Sequence, residues 1–213
     1  MISFANLSLL LLAYMMGSVP SAVWIGKMLY GVDVRDYGSG NAGATNTFRV
    51  LGKKAGLPVL FLDILKGFLA VKMVWLTGKY LPDTQQFVNM ELSLGIASLL
   101  GHIFPIFAGF RGGKGVATLL GILCALHIGA ALICIAVFVV TLMVTQYVSL
   151  SSMMAALTFP ISLMFIYHEN IPGMNIFAMF VCVLVFITHQ KNIERLLRGE
   201  EGKIGIYHRR KMQ

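Results

Sequence analysis

The sequence predicts an all-α integral membrane protein with seven transmembrane helices. Hydrophobic residues make up 57% of the 213-residue chain and charged residues only 12%, which is about half the charged fraction of soluble domains. The apolar residues also fall in runs close to the roughly 20 residues that a helix needs to cross a bilayer. A chain of this length is expected to form a single domain, residues 1–213.

The apolar runs place the seven helices in order along the chain. One run, residues 116–147, is too long for a single crossing, and the turn formers His127 and Gly129 divide it into a short fourth helix and a fifth. A polar tail begins near Gln190. The other predicted helices cover residues 2–25, 57–76, 92–110, 150–167 and 174–188.

The charge distribution predicts the orientation of these helices. Of the 17 Lys and Arg residues, 14 lie in the connections 27–56 and 110–114 and in the tail. Cytoplasmic loops carry an excess of cations, so the N-terminus is expected in the periplasm and the C-terminus in the cytoplasm. An odd number of crossings is required, and seven satisfies it. Aromatic residues also fall near predicted helix ends, as interfacial aromatics do: Trp24, Trp75, Tyr80, Tyr147 and Tyr167.

The first of these cytoplasmic connections contains a glycine-rich segment. Its spacing matches G-x-G-x-x-G, but the dinucleotide fingerprint needs a preceding strand, whereas a membrane helix precedes it here. Glycine backbone can turn amide groups toward an anion, and Ser39 and Arg49 add a hydroxyl and a cation. The alternative is a turn that only reverses the chain. The candidate substrate-binding residues are Gly38, Gly40, Asn41, Gly43, Thr45 and Asn46.

The second glycine-rich segment stands directly before the fourth predicted helix. It lacks the earlier glycine and the Ser/Thr after lysine that a Walker loop needs, so nucleotide hydrolysis is not expected. The N-terminal amides of a helix together with a lysine can still bind an anion. The alternative is a helix start with a snorkelling lysine. The candidates are Gly112, Gly113, Lys114, Gly115 and Thr118.

Polar residues elsewhere give weaker signals. His189 and Asn192 are three residues apart, so both lie on one face if the seventh helix continues, and histidine can exchange protons near neutral pH. The alternative is a solvated histidine at a helix end. Asp63 and Lys66 have the spacing of an ion pair. His102 either lines the site or bonds a neighbouring helix, and the second interpretation is favoured. The spacing of His, Asp and Glu predicts no metal site.

Three segments together carry a resemblance to a known family. GSGNAGATNTFRVLGKKAG, GGKGVAT and HQKNIERLLRGEE resemble the signature segments of bacterial acyl-phosphate-dependent glycerol-3-phosphate acyltransferases, the PlsY family. The likeness includes the stretches FLDILKG and GHIFPIF. It implies acyl transfer from acyl phosphate to glycerol-3-phosphate, giving lysophosphatidic acid and inorganic phosphate. This is the first acylation step of bacterial phospholipid synthesis, and its expected place is the cytoplasmic side of the inner membrane.

The resemblance also implies roles for individual residues. Ser39 and Arg49 are expected at the active site, and the segment with Lys114 would hold glycerol-3-phosphate. His189 and Asn192 match the family's C-terminal histidine and asparagine, and Glu201 fits its structural acidic residue. The expected partners are acyl phosphate, glycerol-3-phosphate and membrane lipids, with no cofactor and no nucleic acid. The protein is expected to be a monomer.

The residues fit this chemistry independently of the resemblance. Both substrates carry phosphate, and Arg49 and Lys114 supply opposite charge, the arginine as a fork and the lysine as a point charge. Direct attack by the glycerol hydroxyl is expected, with Ser39 and Asn192 orienting it and His189 or a substrate phosphate accepting the proton. The rival class is a phosphate or organophosphate transporter. Transporters place their sites near the midplane of internally repeated folds, whereas these candidates gather at one face.

Overall fold

Helices form every secondary-structure element of the described residues. The computed structural model describes residues 4–82 and 84–204. Short 3-10 turns cover Val34–Asp36, Met73–Thr77 and Ile106–Ala108, and a π turn, Ser162–Ile166, extends the eighth helix. The α-helices are α1 (Phe4–Gly17), α2 (Ser21–Tyr30), α3 (Ala44–Leu51), α4 (Lys53–Lys72), α5 (Gln85–Ile103), α6 (Val116–Leu126), α7 (Ile128–Thr145), α8 (Val148–Ile161), α9 (Pro172–Thr188) and α10 (Gln190–Leu197).

The first predicted span is broken in the structure. Residues 2–25 were predicted to form one helix, but α1 and α2 meet at a bend of 42°. Pro20 has no N–H to continue the helix, and its ring disfavours helical backbone at Val19. The second helix then continues to Tyr30, beyond the predicted end. Ile2, where the span was predicted to begin, lies outside the described residues.

The division of the longest apolar run at His127 is confirmed. This residue ends α6 and precedes α7. By length and composition, three helical stretches of the described chain can cross a membrane alone: Gln85–Ala108, Ile128–Thr145 and Val148–Ile166. The number rises to five if α1 with α2, and α9 with α10, each form one span. Seven crossings therefore remain a prediction.

The described chain divides into two compact units. The first contains the residues up to Ile128 together with Ile171–Met174, and α4 packs there against α1, α2, α3, α5 and α6. Its contact with α6 depends on glycine, because a Cβ at Gly67 would overlap the backbone oxygen of Thr118 and one at Gly121 would overlap that of Ile64. Small residues allow such close backbone approach between membrane helices. The position of α6, which begins directly after the second glycine-rich segment, is therefore fixed by backbone contact with α4.

The second unit contains Gly129–Asn170 and the residues from Asn175 onward. Phe159 of α8 and Phe177 of α9 pack edge to face, with ring centroids 6.4 Å apart and an interplanar angle of 85°. The segment after α10 packs back on its own unit, since the Ile204 amide donates to the Gln146 carbonyl at 3.0 Å. This return places Glu201 beside α8 and α10.

Candidate active site

Asn46 organises the first glycine-rich segment from the start of α3. Its side chain is buried, with 2% of the residue exposed. The Asn46 Oδ1 accepts from the Ser39 amide at 2.8 Å, and its Nδ2 donates to the carbonyls of Val34 at 2.7 Å and Tyr37 at 3.1 Å. The sequence predicted that Asn46 contacts substrate. In the structure, however, both polar atoms of its side-chain amide are hydrogen-bonded to loop backbone. Its contribution to a site is the shape of the loop.

The other candidates of this segment lie at its surface. Gly38 and Gly40 have φ values of +62° and +70°, which glycine adopts without steric cost, and together with Ser39 they are exposed. Helix α3 begins at Ala44, directly after Gly43. The exposed residues Thr45 and Arg49 lie on it four positions apart, on the same face. Asn41 and Gly43 are partly exposed just before that helix.

The second glycine-rich segment differs from the predicted amide cradle. The Gly112 amide donates to the Ile103 carbonyl and the Gly113 amide to the His102 carbonyl, both at 3.2 Å. These two N–H groups complete the C-terminal end of α5, so they do not point at a common anion. Gly115 has a φ of +84° and opens α6, and the partly exposed Lys114 precedes it.

The prediction that Thr118 binds substrate is not supported by its surroundings. The residue has no exposed surface, because its backbone lies directly against Gly67 in the contact between α4 and α6. A ligand could reach it only if these two helices separated. The candidates of the second segment that remain partly exposed are Gly112 and Lys114, whereas Gly113 and Gly115 are buried.

Arg35, which the sequence analysis counted only as a cytoplasmic cation, connects the two glycine-rich segments. Its Nη1 donates to the Ala108 carbonyl at 2.8 Å and to the Arg111 carbonyl at 3.3 Å. Asp33 binds the same guanidinium through both carboxylate oxygens. The hydrogen bonding to the Arg35 side chain holds the pKa of Asp33 well below its ordinary value of 3.8, although burial of the carboxylate acts in the opposite direction. The signal in the sequence was an acid and an arginine two residues apart, three residues ahead of the first glycine.

A buried polar cluster lies beside both glycine-rich segments. The predicted ion pair of Asp63 and Lys66 is confirmed, with Nζ 2.8 Å from Oδ1. The Ser21 hydroxyl donates to the same oxygen at 2.8 Å, and Lys66 donates to the Val19 carbonyl at 2.9 Å. His102 of α5 lies with its Nδ1 3.7 Å from that carboxylate oxygen, across the contact between α5 and α4. The cluster thus ties the break between α1 and α2 to the middle of α4.

A small cavity connects this cluster with the glycine-rich loops. Lys66 and His102 line it together with Ala42 of the first segment and Gly112 and Gly113 of the second. The loop approaches the imidazole closely, since a Cβ at Gly113 would overlap the His102 Nε2. The structure therefore brings the two glycine-rich segments together in one unit, around a buried ion pair that the sequence analysis treated as a separate feature.

His189 is buried in the second unit, so the alternative of a solvated histidine is wrong. Only 3% of the residue is exposed, and its Nδ1 lies 2.7 Å from the Val185 carbonyl oxygen. A carbonyl oxygen can only accept a hydrogen bond, so Nδ1 carries the proton. In the neutral ring Nε2 is then the acceptor nitrogen, which is the form that can take a proton from a substrate.

Glu201 joins the residues that follow His189 into a hydrogen-bonded group. Its Oε1 accepts from Asn192 and from Ser149, both at 2.6 Å, and its Oε2 accepts from Arg195 at 2.7 Å. Burial alone would raise the pKa of Glu201, but these three hydrogen bonds lower it below the ordinary value. Asn192 is also buried, so the carboxylate fixes the direction of its side-chain amide.

These features define an all-helical membrane protein in which two cation-bearing, glycine-rich segments lie together in one unit. The chain belongs to the glycerol-3-phosphate acyltransferase family, whose model matches residues 7–199. It is 44% identical over 205 residues to a glycerol-3-phosphate acyltransferase of Enterococcus faecalis, covering 93% of this chain and 91% of the relative. A protein of the same description from Staphylococcus carnosus is 45% identical over 201 residues, covering 92% and 96%.

Two solved structures are similar to the whole fold. Both are crystal structures of PlsY (YgiH), an integral membrane glycerol 3-phosphate acyltransferase. The glycerol 3-phosphate form has a TM-score of 0.83 and 40% identity, and the lysophosphatidic acid form has a TM-score of 0.80 and 38% identity. Each comparison covers 94% of this chain and 96% of the other. The resemblance found in the sequence is confirmed, and with it the integral membrane class.

Proposed function

We propose that this protein transfers a fatty acyl group from acyl phosphate to glycerol-3-phosphate, giving lysophosphatidic acid and inorganic phosphate. The observation that carries this proposal is the joining of the two glycine-rich segments by Arg35 and a shared cavity. Those segments hold Ser39, Arg49 and Lys114, a hydroxyl and two cations. The similar structures are described with glycerol 3-phosphate and with lysophosphatidic acid, the acceptor and product of this reaction.

The main obstacle to this reaction is the repulsion between the two phosphate groups, which Arg49 and Lys114 reduce by supplying positive charge. An opposite charge within about 4–6 Å favours the charged form of a phosphate. In the proposal Arg49 binds one phosphate through two parallel hydrogen bonds, and Lys114 attracts the other as a point charge. The exposed hydroxyl of Ser39 and the neighbouring Asn41 and Thr45 orient the bound groups.

The acyl transfer is a direct displacement. The glycerol hydroxyl oxygen attacks the acyl carbonyl, a new ester C–O bond forms, and the bond from the carbonyl carbon to the phosphate oxygen breaks. Inorganic phosphate leaves with that electron pair. A mixed anhydride is already activated, so a covalent acyl-enzyme is not required. The hydroxyl proton passes to an acceptor, for which the candidates are the His189 Nε2 and a substrate phosphate.

We further propose supporting roles for the residues around His189. Asn192, fixed by Glu201, orients a substrate oxygen through its amide, and Glu201 acts on Asn192 without touching substrate. The same proposal includes seven crossings, a cytoplasmic active site in the inner membrane, and a monomer. The support for the orientation is the concentration of Lys and Arg in the two glycine-rich connections and the tail.

The test is turnover by the purified protein in detergent. Acyl phosphate and glycerol-3-phosphate are supplied, and phosphate release and lysophosphatidic acid are measured together. Equal amounts of the two products are expected, with none from Arg49→Met and normal amounts from Lys79→Met, which removes an exposed cation outside the three signature segments. An acyl thioester in place of acyl phosphate is expected to give no product. Binding of glycerol-3-phosphate without phosphate release would overturn the proposal and favour the transporter.

A further inference from the structure

The turn before the first glycine-rich segment holds a guanidinium in a fixed direction. The Arg35 Nε lies 3.0 Å from the Asp33 Oδ1 and its Nη2 lies 2.8 Å from Oδ2, a two-point contact that sets the plane of the group. The Arg35 amide also donates to Oδ1 at 3.0 Å, so the carboxylate anchors backbone and side chain together. Both side chains are mostly buried, with 14% of Arg35 and 11% of Asp33 exposed.

The remaining nitrogen of the guanidinium reaches the other glycine-rich segment. Nη1 donates to the carbonyls of Ala108 and Arg111, which belong to the turn between α5 and α6. Arg35 lies three residues before Gly38, and Arg111 lies three residues before Lys114. One side chain therefore connects the chain just before the first segment to the chain just before the second.

We infer that Arg35 is a positioning residue for acyl transfer, holding the segment of Lys114 in register with the segment of Ser39 and Arg49. The inference rests on the proposed function of those three residues. In this inference Arg35 does not bind substrate phosphate, because its guanidinium is already paired with the Asp33 carboxylate through two hydrogen bonds. Lysine cannot replace it, since a single ammonium lacks the planar fork that serves a carboxylate and two carbonyls at once.

The kinetic test compares three variants with a matched control. Arg35→Met removes the connection, Arg35→Lys retains the charge alone, and Asp33→Asn retains the arginine but weakens its anchor. Small misplacements remote from the chemistry can reduce rates by about 100-fold, so kcat/KM is expected to fall 10- to 100-fold in Arg35→Met and Arg35→Lys. Most of this loss is expected as a raised KM for glycerol-3-phosphate. Lys79→Met, which loses one exposed cation outside the three signature segments, is expected to match the wild type.

A double variant separates positioning from direct binding. Asp33 also pairs with the exposed Lys27 at 3.2 Å, and an exposed pair contributes little. If Asp33 acts mainly through Arg35, adding Asp33→Asn to Arg35→Met is therefore expected to cause little further loss, because the main interaction is already removed. If Arg35 bound a substrate phosphate, releasing it from Asp33 would leave KM unchanged or lower it. A lower or unchanged KM in Asp33→Asn would therefore overturn the inference.

Hydrogen exchange provides a readout that does not depend on catalysis. Backbone amides of residues 109–115 are expected to exchange faster in Arg35→Met than in the wild type, while those of α10 stay unchanged. Wild-type exchange and wild-type kinetics in Arg35→Met would overturn the inference, as would an equal kinetic loss in Lys79→Met. If the wild type fails to turn over acyl phosphate, the proposed function falls, and the exchange contrast still decides whether Arg35 joins the two segments.

Discussion

The buried ion pair of α4 gives the sharpest stability prediction, through the change Lys66→Met. Asp63 is 1% exposed and Lys66 6%, so water cannot replace the contact that the change removes. The Asp63 carboxylate would keep the Ser21 hydroxyl but lose the Lys66 ammonium at 2.8 Å. Removing one partner of a buried ion pair costs about 3–5 kcal/mol, which is a large part of the roughly 5–15 kcal/mol that stabilises a typical protein. We therefore expect Lys66→Met to lower the free energy of unfolding by about 3–5 kcal/mol.

The pairing itself is tested by neutralising both residues. Asp63→Asn in the Lys66→Met background leaves no unpaired charge, so most of the lost stability is expected to return. Unfolding is followed by circular dichroism in mixed micelles with increasing SDS. Lys54→Met is the matched control, because this α4 lysine is exposed, and a change within about 0.5 kcal/mol is expected. If the double variant is as unstable as Lys66→Met, the unpaired Asp63 carboxylate is not the cause of the lost stability, and the prediction is refuted.

Three further changes probe packing, acid stability and chemistry. Gly121→Val places a side chain into the Ile64 backbone and is expected to destabilise by at least about 1–3 kcal/mol; normal thermal stability would contradict the close contact. Because the pKa of folded Glu201 lies below its ordinary value of 4.5, its contribution to stability is complete above that value and disappears as pH falls through the folded pKa. Glu201→Gln is therefore expected to be less stable than the wild type at neutral pH and to lose less on acidification to pH 3, as measured by thermal unfolding. His189→Gln is expected to reduce kcat about 100- to 10,000-fold if Nε2 accepts the proton, and near-normal kcat would assign that role to a substrate phosphate.

Features that depend on local sequence were predictable. The membrane class follows from composition, and the break at His127 follows from the length of the apolar run, because one helix of that length exceeds the bilayer. The spacing of Asp63 and Lys66 gave their ion pair, since residues three apart on a helix are neighbours. In each case the information lies within one helical turn or one span.

Features that depend on distant contacts were not predictable from one sequence. The occupied amides of Gly112 and Gly113 require knowing that α5 ends beside them, and the burial of Thr118 requires knowing that α6 packs on Gly67. Arg35 was visible as a cation, but its partners at Ala108 and Arg111 lie 73 and 76 positions away. The bend near Pro20 had a local signal, which the continuous apolar run outweighed.

The glycines of the two segments also change how the phosphate site is understood. The sequence suggested that they free amide groups to bind phosphate, yet the amides of Ser39, Gly112 and Gly113 are bonded within the protein. At Gly113 the absence of a side chain instead lets the loop lie against the His102 ring. Hydrogen bonds thus fix the conformation of each loop: those of Asn46 in the first segment, and those to the last carbonyls of α5 in the second. Recognition of phosphate then falls to side chains carried on those loops, which is why the proposed function assigns it to cations and hydroxyls and gives the glycines the task of placing them.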